Sequence, residues 1–79
     1  MTVTGDTDPE RIIGLLGDVT RRDPRVSGDP AVLLLRFGDA SADFQVRFWT
    51  DDVDWMRVRS DIAVALQRAL REARNQADG

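Results

Sequence analysis

Hydrophobic positions follow two periods along this chain. Ile12, Leu15, Leu16 and Val19, with Ile13 beside them, recur at steps of three and four, which is the spacing of one face of a helix. Gly5-Asp6-Thr7-Asp8-Pro9-Glu10 precedes them as a helix start: Asp8 fits the N-cap, Pro9 the first helical position, and Thr7 with Glu10 an overlapping capping box. The segment 21–30 then breaks the helix with Pro24, Gly28 and Pro30. Residues 31–37 are apolar up to Arg36, which predicts a strand covered on at least part of both faces. Gly38-Asp39-Ala40-Ser41 is turn chemistry, and 42–50 returns as an alternating strand, so the two form an antiparallel hairpin. Val58, Ile62, Ala65, Leu66, Ala69, Leu70 and Ala73 draw the stripe of a second helix, whose opposite face carries Arg57, Asp61, Arg68, Arg71, Glu72 and Arg74. Asp51 or Asp52 is expected to cap it, with Asp54 adding negative charge to its first turn, and the polar tail 75–79 is expected to fray.

Thr2-Val3-Thr4 is compatible with the end of a strand. The order is then strand fragment, helix, strand, strand, helix over a single domain, 1–79. Two helices with one apolar stripe each must share one face of a small sheet. The predicted fold class is therefore α+β, a two-layer sandwich with a ferredoxin-like (β)αββα order that lacks the final strand.

The stretch 44–55 organises this arrangement. Phe44, Val46 and Phe48 fall on one face of the return strand and belong to the core; Gln45, Arg47 and Trp49 fall on the other. An arginine and a tryptophan are more than a solvated face needs. Tryptophan is enriched where surfaces meet and arginine pairs in a fixed fork with carboxylates, so Gln45, Arg47, Trp49 and, at the start of the next helix, Trp55 are the candidate interface residues. The opposing reading, of equal weight on the residues alone, packs Trp49 under its own chain and pairs Arg47 with Asp43 or Glu10.

Composition narrows the chemistry. A chain of 79 residues with no cysteine and no histidine has neither disulfides nor thiolate metal sites, and it lacks the commonest general base. The net charge of -3 argues against neutralising phosphates, so no nucleic-acid partner is expected, although an aromatic sheet face is what RNA-recognition modules use. Every cation is arginine and aspartate far outnumbers glutamate, a bias of composition rather than of a site. The longest apolar run, 31–35, is too short to span a bilayer, and no signal segment opens the chain, which reads as soluble. Serines and threonines have no histidine to activate them and no phosphate-binding glycine loop is present, so no catalytic residue and no cofactor is assigned. Asp6, Asp8 and Glu10 have the alternate spacing of a calcium loop but not the rest of it, and Asp51, Asp52 and Asp54 could hold magnesium; helix capping explains both groups with fewer assumptions, and no metal is assigned. Arg21, Arg22 and Arg25 could touch an anion, but a helix C-terminus that favours cations explains them better.

Several segments in order resemble the cytoplasmic C-terminal α/β domain of small-conductance mechanosensitive channels. Gly5-Asp6-Thr7-Asp8-Pro9-Glu10-Arg11 is similar to that family's passage from strand into first helix, with Gly5 where an aromatic is usual. Asp29-Pro30-Ala31-Val32 resembles its Pro-x-Val start of the next strand. Gly38-Asp39-Ala40-Ser41 followed by 44–49 resembles its turn and Arg-x-Trp strand, and Asp52-Val53-Asp54-Trp55 the start of its last helix. The resemblance implies a non-enzymatic domain that, one copy per subunit, helps form a hollow cytoplasmic cage leading to the pore. It also implies a homo-oligomer in the full-length protein, attachment to the membrane only through helices upstream of this segment, and Arg47, Trp49 and their neighbours at or near contacts between subunits or with the preceding β domain. The chain departs from the pattern downstream, where 75–79 does not match the usual Gly-Ile-x-Ile-Pro-Phe-Pro strand. The alternative is a free-standing ferredoxin-like module that pairs through its sheet edges or binds a small ligand.

Overall fold

The computed structural model describes residues 1–4, 8–38 and 40–78, with side chains as far as Ala73. The elements are β1 (Thr2–Thr4), α1 (Pro9–Arg21), β2 (Ser27–Phe37), β3 (Ser41–Trp49) and α2 (Trp55–Asp78). The strands form one antiparallel sheet in the order β1-β3-β2, with both helices on the same side. This is the expected two-layer α+β arrangement.

Helix α1 starts where its sequence says. Asp8 is its N-cap, and its carboxylate accepts the Glu10 N–H at 3.1 Å, one of the donors a first turn leaves unbonded. Thr7, the other half of the expected capping box, lies outside the described residues. Ile12 and Leu16 are buried from the expected stripe, with Ile13 and Val19 packed at its margin. Gly17 and Thr20 also lie inward. The Thr20 hydroxyl donates to the Leu16 carbonyl at 2.8 Å, so the one buried polar side chain among the described residues is satisfied within its own helix.

The core closes around Phe44 on β3 and Leu16 on α1, with Val3, Ala42, Val58, Ile62 and Leu66 around them. Val3 pairs with Ala42 across the β1–β3 ladder, so even the short strand contributes an inward side chain. Helix α2 lies against α1 more closely than against any strand. Its 24 residues make it about 36 Å long, and it sets the 39 Å long axis of the domain.

Three expectations need correction. Strand β2 begins at Ser27, ahead of 31–37, because Gly28 takes a left-handed φ of 72° at the irregularity between Ser27 and Ala31 and lets the strand pass through the predicted break. Nor is β2 covered on both faces: it is an edge strand, and Leu33, Leu34, Leu35 and Phe37 are exposed. A continuous apolar run looks the same whether it is sandwiched or merely unpartnered. Helix α2, finally, starts at Trp55, later than a cap at Asp51 or Asp52 requires. The Asp54 carbonyl accepts from the Arg57 and Val58 N–H groups, and the Asp52 carboxylate instead accepts the Asp54 N–H at 2.9 Å. Asp52 thus fixes the turn before the helix; Asp51 is simply exposed, and Asp54 stands ahead of the first turn rather than in it. At the other end α2 extends to Asp78.

Candidate interaction surface

Strand β3 divides the sheet into two unlike faces. Residues opposite one another across an antiparallel pair share a face, so the registers Val32 with Val46 and Leu34 with Phe44 belong to the helix side. Ala31 with Arg47, Leu33 with Gln45 and Arg36 with Asp43 lie on the side that no helix covers. Gln45 and Arg47 are exposed there, and Trp49 at the end of the strand is 58 % exposed.

Neither intramolecular partner expected for Arg47 pairs with it. Asp43 accepts the Thr2 hydroxyl across the β1–β3 pair, and Glu10 lies in the first turn of α1. No ion pair or side-chain hydrogen bond involves Arg47 among the described residues. Trp49 does not pack under a loop of its own chain.

Where β3 runs past the short β1, a cleft of about 670 Å³ opens between β3 and α2. Its wall on β3 runs from Val46 through Arg47, Phe48 and Trp49; its wall on α2 includes Trp55, Arg59, Ile62 and Leu66, and Met1 closes one end. The cleft arises because α2 leans on α1 and leaves the outer half of β3 without a helix directly above it. Three of the four candidate residues, Arg47, Trp49 and Trp55, therefore meet at one site, with Trp55 54 % exposed. Gln45 does not line it and stays on the open face. The turn before α2 adds Val53, 98 % exposed, and the first turn of α2 adds Met56, 68 % exposed, neither of which is among the candidate interface residues read from the sequence. Both precede the first buried position of the helix stripe, Val58, and a stripe read from its interior hides apolar residues that sit ahead of it.

The remaining charged cluster is structural. Arg25 donates to both oxygens of Asp23, at 3.0 and 2.7 Å, and reaches Asp61 on α2 at 3.2 Å. The Arg25 hydrogen bonds hold the Asp23 carboxyl below the usual aspartate range, and the same bonds raise the Arg25 pKa further above its ordinary value. Arg21 pairs with Asp18 at 2.8 Å and Asp29 at 3.5 Å. Two of the three arginines that might have met an anion are thus spent on aspartates, and they fasten the segment after α1 to α2 and β2. No group of acidic residues suited to holding a metal occurs among the described residues.

The surface is thus two tryptophans and two arginines around an apolar cleft, beside an uncovered sheet face. It offers shape, apolar area and arginine forks; its one side-chain hydroxyl, Thr50, has no carboxylate or histidine beside it in the lining to activate it. No helix of the described residues is long and apolar enough to cross a membrane. Neither a curated protein nor a solved structure matched the chain. A family model did match, over residues 1–75: the C-terminal domain of the MscS mechanosensitive ion channel. With nearly its whole length inside that match, the chain belongs to the family of MscS C-terminal domains, a channel domain rather than one of a known enzyme family.

Proposed function

We propose that this chain is the assembly and vestibule domain of its channel: copies from neighbouring subunits meet through the surface built by Gln45, Arg47, Trp49 and Trp55 and together wall a hollow cytoplasmic cage in front of the pore. The observation that carries this is Trp49, a large apolar side chain more than half exposed on a sheet face that no element of the chain covers, beside an arginine without a partner among the described residues. Burying a tryptophan of this kind against a neighbour removes apolar area from water and gives Arg47 a carboxylate or carbonyl to meet. Aspartate is abundant on this chain, so a neighbouring copy supplies acceptors. Such a wall shields the pore mouth and selects solutes by size and charge, without chemistry of its own.

The test uses Trp49 as its own reporter. In a Trp55→Phe variant, Trp49 emission is water-like in dilute solution and moves to shorter wavelength as the chain concentration rises, as its ring becomes buried between copies. Emission that is already blue-shifted at the lowest concentration, or that never changes, removes this surface as the contact.

A second reading rests on the cleft. An apolar hollow of about 670 Å³ with two arginines on its walls has the size of a small-molecule site. In this reading the domain is a regulatory module that binds an anionic apolar ligand. A saturable thermal shift with one compound, lost in Arg59→Ala, favours it over the assembly role.

A further inference from the structure

The edge of the sheet at β2 is a second exposed feature, and none of its residues lines the cleft. Met1 and Phe44 exchange both backbone hydrogen bonds, each at 2.7 Å, so the Phe44 N–H and C=O point toward β1. Along an antiparallel strand this direction alternates, and Gln45 and Arg47 therefore point toward β2, where they meet Leu33 and Ala31. The residues between, Val32 and Leu34, turn their N–H and C=O groups the other way, out of the sheet. No strand stands beside them among the described residues. An edge of this kind usually carries a charge or a proline along its length. Here Pro30 lies before the pair and Arg36 after it, with the bulge between Leu34 and Arg36, and the segment Val32-Leu33-Leu34 is left unguarded.

We infer that β2 pairs antiparallel with β2 of a second copy about a two-fold axis at Leu33, joining the two sheets into one. The register follows from the backbone. Centred on Leu33, Val32 of each copy faces Leu34 of the other, and both are outward-pointing residues that exchange both hydrogen bonds of a rung. Centred on Val32, each Leu34 would face Pro30, which has no N–H to give. Centred on Leu34, the ladder would run into the bulge. Only the Leu33 register uses every free donor of the segment. It also matches side chains: Leu33, 42 % exposed, meets Leu33 on the open face, and Val32 and Leu34 meet on the helix side. At each end Arg36 of one copy comes opposite Pro30 and next to Asp29 of the other, so opposite charges flank the pairing and no like charges face each other at the axis.

Amide hydrogen exchange of the 79-residue chain, followed by NMR over a dilution series, tests this directly. The Val32 and Leu34 amides exchange roughly tenfold or more slowly at concentrations where copies pair, and at solvent-limited rates when dilute, while the Phe44 amide stays protected throughout. Leu33→Lys and Leu33→Glu each abolish the protection by placing like charges at the axis, and an equimolar mixture of the two restores it. Trp49→Ala leaves it unchanged, which separates this edge from the proposed channel contact. Exchange at Val32 and Leu34 that is independent of concentration overturns the inference. So does wild-type protection in Leu33→Lys alone, failure of the mixture to recover protection, or loss of protection in Trp49→Ala.

Discussion

The two faces of β3 come from alternate residues of one nine-residue strand, yet they behave as parts of different objects. On the helix side Ala42 and Phe44 are almost completely buried, and Val46 and Phe48 pack at the margin of the same cluster. On the other side Gln45, Arg47 and Trp49 stand exposed, with Arg47 and Trp49 also at the rim of the cleft that faces α2. The first set explains why the domain folds. The second makes no ion pair or side-chain hydrogen bond through Arg47 among the described residues and leaves Trp49 more than half exposed, and the proposed assembly surface rests on these two side chains. The apolar residues Ala42, Phe44, Val46 and Phe48 lie on the side that α1 and α2 cover, which leaves Trp49 as the large apolar exception on the other.

This contrast can be broken or sharpened by substitution. The largest effect falls on the covered face: Phe44→Ala removes the largest fully buried side chain and costs about 3–5 kcal/mol, which leaves a domain of this size mostly unfolded in a urea titration. Thr20→Val is smaller. It keeps the volume but deletes a buried hydroxyl that already has its acceptor, for a loss of about 1 kcal/mol in the same titration. A pH titration probes the pins between the layers. Because Arg25 holds the Asp23 carboxyl below its unfolded value, this pair stabilises the fold above about pH 4 and the contribution is lost as the pH falls through the lowered pKa. Asp23→Asn removes that part of the acid dependence, and a thermal-melt series from pH 6 to pH 2 shows it as a flatter profile; an unchanged profile would mean the pair contributes nothing.

Much of the covered face was legible in the chain. The helix stripe through Ile12 and Leu16, the Asp8 cap with Pro9 behind it, the turn at Gly38 and the alternation from Phe44 to Trp49 are local signals, and the local geometry follows them. What the sequence did not carry is the relation between elements. The run 31–37 reads as a buried strand because its composition is apolar, whereas its place at the edge depends on β1 pairing with β3 from a distant part of the chain. The start of α2 is hidden for a related reason: three aspartates in four residues each suit a cap, and only the path of the turn, fixed by the Asp52 carboxylate on the Asp54 N–H, selects Asp54. Of the candidate surface, Arg47, Trp49 and Trp55 were visible as oddities. Their meeting at one cleft was not, since it depends on α2 leaning toward α1. Leu33 could have been found by the same alternation that revealed Trp49, applied to the neighbouring strand.

The central claim is that Trp49 does nothing for the fold of a single copy. Its most direct test is the unfolding free energy of Trp49→Ala, measured by urea titration at a concentration where the chain is monomeric. The expected loss is less than about 1 kcal/mol, as for a surface substitution, against the several kcal/mol of Phe44→Ala. A loss of about 3 kcal/mol or more in the monomer would place Trp49 in the core and contradict the division of the sheet on which the account rests.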